Sequence, residues 1–302
     1  VIAGTRGYGV YYSTNSGTSW LQSNLVSEKI WSFAVISNYI FAGSDDKGVY
    51  ISVNNGVTWS QTSMNNKDVN YLYPSGTILF AAVGADGWGV FASPDNGATW
   101  SNVGDIGIGT YSVAVSGNYI YAGPYYSGIQ FTTDAGITWI QSSFDLGTAA
   151  AIAVTGNNVF AGTEGFGFKV SNDNGTTWTH RSEGLGSGYL SALCIINNTI
   201  YVCTGSGVYK RSLSEIIGIS QISNEIPQEY RLYQNYPNPF NPTTKIKFQI
   251  SESSAAQTFL SVYDILGREV AKLVSEELKP GTYEVDFDGS SFPSGAYFYK
   301  LT

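Results

Sequence analysis

Five near-copies of one octapeptide constrain this chain more than any other feature. STNSGTSW (13–20), SVNNGVTW (52–59), SPDNGATW (93–100), TTDAGITW (132–139) and SNDNGTTW (171–178) set their tryptophans 39 or 41 residues apart. A period near 40 is the length of one four-stranded propeller blade, and a unit that short buries its apolar face only by stacking on neighbours. Inner strands are expected at 32–36, 112–116, 152–155 and 192–196. Each is followed by a pair (Ser37-Asn38, Gly117-Asn118, Gly156-Asn157, Asn197-Asn198) suited to the positive φ angles of a two-residue hairpin turn. The second strand reads IFAG, IYAG or VFAG, a glycine-rich loop leads to the third, and the octapeptide joins the third to an outer strand opened by its tryptophan. With 35 Gly, 22 Tyr and only 13% charged residues, the composition favours short strands and tight turns over helices, so the expected class is all-β. Six repeat units are visible. The first enters at its second strand (VIAGT), and the last (192–212) shows three strands and no octapeptide. Either strands shared between the ends close the ring, or further repeats precede Val1.

Within the octapeptide, a side-chain oxygen at the third position (Asn15, Asn54, Asp95, Asp134, Asp173) is placed to accept backbone N–H groups two residues on, as in an Asx turn. The glycine two places further supplies φ > 0. The indoles of Trp20, Trp59, Trp100, Trp139 and Trp178 are apolar plates with one donor needing a nearby acceptor. Two copies carry Asn where three carry Asp, a change that a metal ligand or catalytic acid would not tolerate and a turn-closing acceptor would. These ten residues are therefore read as structural. The octapeptide resembles the Asp-box, S/T-x-D-x-G-x-T/S-W, and residues 1–212 resemble the Asp-box (BNR) propellers. That group includes sialidases, sortilin-like receptors, xyloglucan-cleaving hydrolases and photosystem assembly factors of the YCF48 type. The resemblance implies a β-propeller; it does not select between enzyme and binder.

After residue 212 the period stops. Residues 213–229 (LSEIIGISQISNEIPQE) are polar and unpatterned, and read as a linker. Pro237, Pro239 and Pro242 make the next entry extended or turned. Alternation at Ile246, Phe248 and Ile250, at Tyr283, Val285 and Phe287, and at Tyr297, Tyr299 and Leu301 predicts strands, with a hairpin turning around 264–267. A small β-sandwich is expected over 230–302. QNYPNPFNPTT (234–244), VYDILGREVAKL (262–273), PGTYEVDFDG (280–289) and SGAYFYKL (294–301) closely resemble the type A C-terminal sorting domain of the bacterial type IX (Por) secretion system. The resemblance implies export to the cell surface or the medium, contact with the secretion machinery, and one further lysine-bearing strand beyond Thr302.

Several chemistries lack material. The net charge is −8, and no Lys/Arg cluster could track a phosphate backbone, so nucleic acid is not an expected partner. Uninterrupted apolar runs fall short of the ~18 residues that a membrane-spanning helix needs. His180 is the only histidine and reads as a solvated surface residue; with it and two cysteines, neither zinc nor a Ser-His-Asp triad is expected, and no cofactor is implied. Cys194 and Cys203 flank a turn on neighbouring strands at a long reach for a bridge and read as buried thiols, a disulfide being the alternative. A sialidase would need three arginines on one carboxylate, and the propeller offers only Arg6, Arg181 and Arg211. The loops between second and third strands carry unrepeated residues: Tyr8, Asp45, Asp46, Asp86, Trp88, Tyr125, Tyr126, Glu164 and Phe166. Aromatic faces beside carboxylates suit stacking on sugar rings and accepting from their hydroxyls. The expected activity is binding of a glycan or surface protein. The alternatives are a glycoside hydrolase using Asp45, Asp46, Asp86 or Glu164, and a passive surface protein.

Overall fold

In the computed structural model, which describes residues 1–84, 88–104, 106–144, 147–182, 184–197, 199–216, 220–223, 225–251, 256–289 and 292–302, the repeats form successive antiparallel sheets. Blade 1 has three strands: Ile2–Gly4, Val10–Tyr12 and Leu21–Gln22. Blade 2 comprises Ile30–Ile36, Tyr39–Ser44, Gly48–Ser52 and Ser60–Gln61, and blade 3 Val69–Ser75, Ile78–Val83, Gly89–Ser93 and Ser101–Gly104. Blade 4 comprises Thr110–Ser116, Tyr119–Pro124, Gln130–Thr132 and Ile140–Gln141, and blade 5 Gly147–Thr155, Asn158–Thr163, Phe168–Ser171 and Thr179–His180. Ser127–Gly128, from the blade 4 loop, pairs in parallel with Gly147–Thr148 of blade 5. Leu190–Ile196, Thr199–Thr204 and Gly207–Ser212 form a last, three-stranded sheet. The fold is an all-β propeller of Asp-box repeats.

Stacking buries both faces of the second strands of blades 2 to 5, which explains the large-small alternation there: Phe41, Ala42, Phe80, Ala81, Tyr121, Ala122, Phe160 and Ala161 lie in the core. Serines on the inner strands lock adjacent blades. Ser32 Oγ accepts from Leu72 N at 3.0 Å, and Ser112 Oγ donates to the Ala149 carbonyl at 2.5 Å. The inner strands of blades 2 to 5 each carry a bulge at the same place, with Trp31, Asn70, Tyr111 and Ala150 as the extra residues. In the hairpin turns of blades 2, 4 and 5 only the first member of each pair has positive φ (Ser37 53°, Gly117 56°, Gly156 55°), a narrower requirement than the expected two.

The boxes are saturated with local hydrogen bonds. The first residue's hydroxyl (Ser13, Ser52, Ser93, Thr132, Ser171) accepts the glycine N–H four residues on at 2.8–3.1 Å. It also donates to the side-chain oxygen of the third residue. That oxygen accepts an N–H four residues on, at 2.8–2.9 Å, where an Asx turn would have it two residues on. The longer reach follows from two successive left-handed residues, as in Asn96 (φ 57°) and Gly97 (φ 86°), which fold the chain back over the acceptor. At the second terminal atom the bond reverses direction. Asp95, Asp134 and Asp173 accept the hydroxyl of Thr99, Thr138 or Thr177 at 2.6 Å, whereas the amides of Asn15 and Asn54 donate to Ser19 and Thr58 at 2.8 Å. Asp and Asn therefore close the same ring.

The boxes of blades 2 to 5 also pack on the blade before them. A Cβ on Gly136, whose φ is 93°, would overlap the carbonyl oxygen of Val103, the acceptor that Trp139 Nε1 reaches at 3.2 Å. Asn24 brackets the backbone of Trp59, and Ser63 Oγ donates to the Gly97 carbonyl at 3.1 Å. Trp20, Trp59 and Trp178 donate to the carbonyl of their own box glycine at 3.0–3.1 Å. The buried Trp100 indole N–H makes no hydrogen bond among the described residues.

By contacts the chain divides into Val1–Leu193 with Val202–Gly207, and Cys194–Tyr201 with Val208–Thr302. Leu213–Ile216 forms one helical turn. The stretch read as a linker also contributes structure: Ser220–Ser223 pairs antiparallel with Gly281–Asp288. One sheet of the C-terminal sandwich runs Ser220–Ser223, Gly281–Asp288, Thr243–Ile250, Arg231–Leu232; the other runs Glu269–Leu278, Ala256–Tyr263, Phe298–Leu301. Ile246, Phe248, Ile250, Tyr283, Val285 and Phe287, at positions that the alternation predicts, meet Leu260, Val262 and Leu273 between them, and Tyr297, Tyr299 and Leu301 pack against this core partly buried.

Candidate functional site

In an antiparallel meander, the hairpin turn and the box lie at one end of the blade. The loop between second and third strands and the connection to the next blade lie at the other. Tyr8, Asp45, Asp46, Trp88, Tyr125, Tyr126, Glu164 and Phe166 thus share the rim opposite the boxes, and the Asp86 position lies outside the described residues. One backbone bond recurs along this rim. Asp45 N donates to Lys29 O (3.0 Å), Gly84 N to Asp68 O (2.8 Å), Tyr125 N to Gly109 O (2.9 Å) and Glu164 N to Thr148 O (3.1 Å). The same framework therefore presents a different side-chain pair in each blade.

Blades 1 and 2 present a charge-neutralised group. Lys29 Nζ pairs with Asp45, Trp31 Nε1 donates to the same carboxylate at 3.4 Å, and the Arg6 guanidinium lies 5.7 Å from the Trp31 ring centroid. Lys29 and then Trp31 hold Asp45 below the usual carboxylate range, and Asp45 in turn raises Lys29. Asp46 stands exposed beside them at φ 63°, and the Tyr8 side chain is 71% exposed.

Blades 3 to 5 present an aromatic group. Tyr111 stacks on Tyr125 with centroids 5.4 Å apart and planes 20° apart, and Tyr125 meets Tyr126 at 4.0 Å. A cavity of about 340 Å³ opens beside this stack, lined by Asp68, Asn70, Trp88, Gly109, Tyr111 and Tyr125 among others. Its size is within the small-ligand range. Trp88 and Tyr126 are 46% and 68% exposed, and Tyr126 keeps φ 55°, an uncommon angle for a bulky residue. Tyr125 donates to the Tyr126 hydroxyl at 3.1 Å, and its own pKa is pushed up to about 12, chiefly by that bond. Burial raises Tyr111, aided by the negative charges of Glu164 and Asp68. Glu164 accepts from the Tyr189 hydroxyl at 2.8 Å, which raises Tyr189. The Phe166 ring fills the space that a Cβ on Gly147 would need.

The structure thus gathers Trp88, Tyr125, Tyr126 and Glu164 on one side, and Asp45 and Asp46 with Lys29 on another. Sequence reading missed two sets of partners: the bulge residues Trp31, Asn70 and Tyr111, and the connection residues Lys29, Asp68 and Tyr189. The inter-blade connections lie at this rim by the same topology that places the loops, so they were open to inspection. His180 is exposed and faces Ser182 Oγ at 2.9 Å. Neither cysteine is disulfide-bonded, and Cys194, expected to be buried, is exposed because the buried Leu190 and Leu193 stand three residues apart, a break in alternation that turns Cys194 outward.

In the C-terminal sandwich the proline-rich entry is knitted from within. Asn235 Nδ2 donates to Thr244 Oγ1 at 2.9 Å and to the Pro237 carbonyl at 3.2 Å, while Asn235 N donates to the Tyr299 hydroxyl at 2.8 Å. Residues 234–302, spanning these contacts, match the family model described as "Secretion system C-terminal sorting domain". The C-terminal module is a sorting domain. It marks the chain for export through the type IX secretion system, to the cell surface or the medium, and implies contact with that machinery. No curated protein matches the chain in sequence.

Among solved structures, PorZ, a surface component of the type IX secretion system of Porphyromonas gingivalis, is similar over 100% of this chain and 49% of its own, with TM-score 0.55 and 16% identity. The GH74 xyloglucanase of Xanthomonas campestris is similar over 82% of this chain and 48% of its own (TM-score 0.57, 15% identity). The computationally designed protein Ika8 is similar over 94% of this chain and 79% of its own (TM-score 0.53, 15% identity). At such identities the likeness shows the fold alone, and the chain spans about half the length of the two natural relatives. Among the described residues no helix is long and apolar enough to cross a membrane.

Proposed function

We propose that residues 1–212 are exported cargo that binds a glycan through the rim opposite the boxes, with residues 230–302 as the address and the 213–229 stretch lending one strand to the sandwich. The observation that carries this reading is the exposed Trp88, Tyr125 and Tyr126 beside the cavity walled by Tyr111. Stacked, partly exposed rings with a carboxylate and an amide nearby are what a pyranose needs, a face for its C–H groups and acceptors for its hydroxyls. Catalysis is not part of the proposal. Asp45 is held ionised by Lys29 and is unsuited to donate a proton as a general acid.

A glycan array probed with the full chain tests the reading, with reducing-end release measured on every glycan retained. Binding without release supports it. Release that disappears in Asp45→Ala, Asp86→Ala or Glu164→Ala replaces it with a glycoside hydrolase, and neither binding nor release alongside normal surface display replaces it with a passive surface protein. Capture of a surface protein, with no glycan retained, also overturns it. For the address, deletion of 230–302 in a type IX host is expected to trap the propeller in the periplasm. Unchanged secretion contradicts that role.

A further inference from the structure

The recurring rim framework carries different side chains in blades 2 and 3. Lys29 and Asp68 occupy the same place, each offering its carbonyl to the following loop, and so do their donors Asp45 and Gly84. In blade 2 the pair is a lysine against an aspartate. In blade 3 the aspartate stands on the connection and the loop residue has no side chain. A Cβ at Gly84 would stand 2.5 Å from Asp68 Oδ2 and 2.8 Å from Asn70 Nδ2, so the carboxylate and amide occupy the space that a loop side chain would fill.

Asp68 and Asn70 line the cavity with Trp88, Tyr111 and Tyr125, and among the described lining residues none is basic. Glu164 adds its negative field at Tyr111. Aromatic faces are themselves the negative side of the ring quadrupole, so a cation gains from the walls and the floor together, while an anion loses with both.

We infer that this cavity selects a protonated amino sugar, a hexosamine whose amine is free, over its neutral N-acetylated counterpart and over acidic sugars. The inference rests on the glycan-binding reading above. The ammonium is drawn to Asp68 and the sugar ring stacks on the Trp88 and Tyr125 faces. N-acetylation removes the charge and adds bulk to the same nitrogen, and a uronic or sialic carboxylate repels Asp68.

Titration calorimetry of the full chain tests this with two probes, the β-1,4-linked glucosamine tetramer and its fully N-acetylated form, at a pH where the amines are protonated. The free-amine tetramer is expected to bind about tenfold more tightly. Asp68→Asn is expected to bring the two affinities within about twofold, and Trp88→Ala to weaken both. If Asp68→Asn lowers the unfolding temperature, wild-type salt dependence decides instead: only the free-amine tetramer weakens between about 50 and about 500 mM salt. Equal affinities, tighter binding of the acetylated form, salt-insensitive binding of the amine, or array hits confined to neutral or acidic glycans overturn the amine preference and leave glycan binding standing. No binding of either tetramer together with an empty glycan array overturns glycan binding itself.

Discussion

The two ends of each propeller blade obey opposite rules. At the box end the same ring of hydroxyl, side-chain oxygen and N–H bonds closes in every copy, and the exchange of Asp for Asn merely reverses a donor and an acceptor. At the other end only the backbone bond recurs, while the side chains it carries run from Lys29 and Asp45 to Asp68 and Gly84, then Gly109 and Tyr125, then Thr148 and Glu164. A side chain repeated in register answers a need that every blade has, which is packing on its neighbour. A side chain that changes on a constant framework is free to discriminate ligands. The propeller thus separates stability from recognition along the length of its strands.

The sharpest way to break this comparison is at Trp59, 6% exposed and packed 6.0 Å from the Phe33 ring. Trp59→Ala is expected to cost about 3–5 kcal/mol in chemical denaturation. A loss below about 1 kcal/mol would mean the box tryptophan is not a core plate. At the other end, Trp88→Ala with Tyr125→Ala is expected to lower glycan affinity by at least about tenfold while moving stability by no more than about 1 kcal/mol per substitution. Denaturation and titration on the same preparation check both halves.

Acid offers a finer probe. Hydrogen bonds from Thr132 and then Thr138 hold Asp134 at about 2, and those from Thr99 lower Asp95. Burial pushes Asp173 upward, but the bonds from Thr177 and Ser171 outweigh it. A depressed carboxyl stabilises the fold above its unfolded pKa of roughly 3.9, and that contribution is lost as pH falls through the folded value. The unfolding temperature should therefore drop between about pH 4 and about pH 2, and the triple change Asp95→Asn, Asp134→Asn, Asp173→Asn should flatten that limb. An unaltered acid limb would show that the box carboxylates contribute nothing to it. The smallest expected effect is at neutral pH, where Asp95→Asn alone leaves the unfolding temperature unchanged because Asn15 and Asn54 already close the same ring. Asp95→Ala, which removes both acceptors, lowers it.

Much of this contrast was legible in the residues alone. The box spacing marked the blades, the Asn copies marked the boxes as structural, and loop position placed Trp88, Tyr125 and Glu164 at one rim. Trp31, Asn70 and Tyr111 were not legible, because strand alternation assigns faces by a period of two and a bulge breaks that period at the residue that matters. Lys29, Asp68 and Tyr189 lie in connections without a repeated motif. The four-residue reach of the box acceptor depended on a second left-handed residue (Ser16, Asn55, Asn96, Ala135 or Asn174) whose identity varies from copy to copy. Pairing of Ser220–Ser223 with Gly281–Asp288 joins segments about sixty residues apart, and nothing local in a polar stretch signals a distant partner.

The separation of stability from recognition is tested most directly by one paired measurement: binding to a glycan that the wild-type chain retains, compared between Trp88→Ala with Tyr125→Ala and Asp95→Asn with Asp134→Asn. The account predicts that binding disappears in the rim pair, whose unfolding temperature stays near wild type, and persists in the box pair. Binding that survives the rim changes and disappears with the box changes would place recognition at the boxes and contradict it.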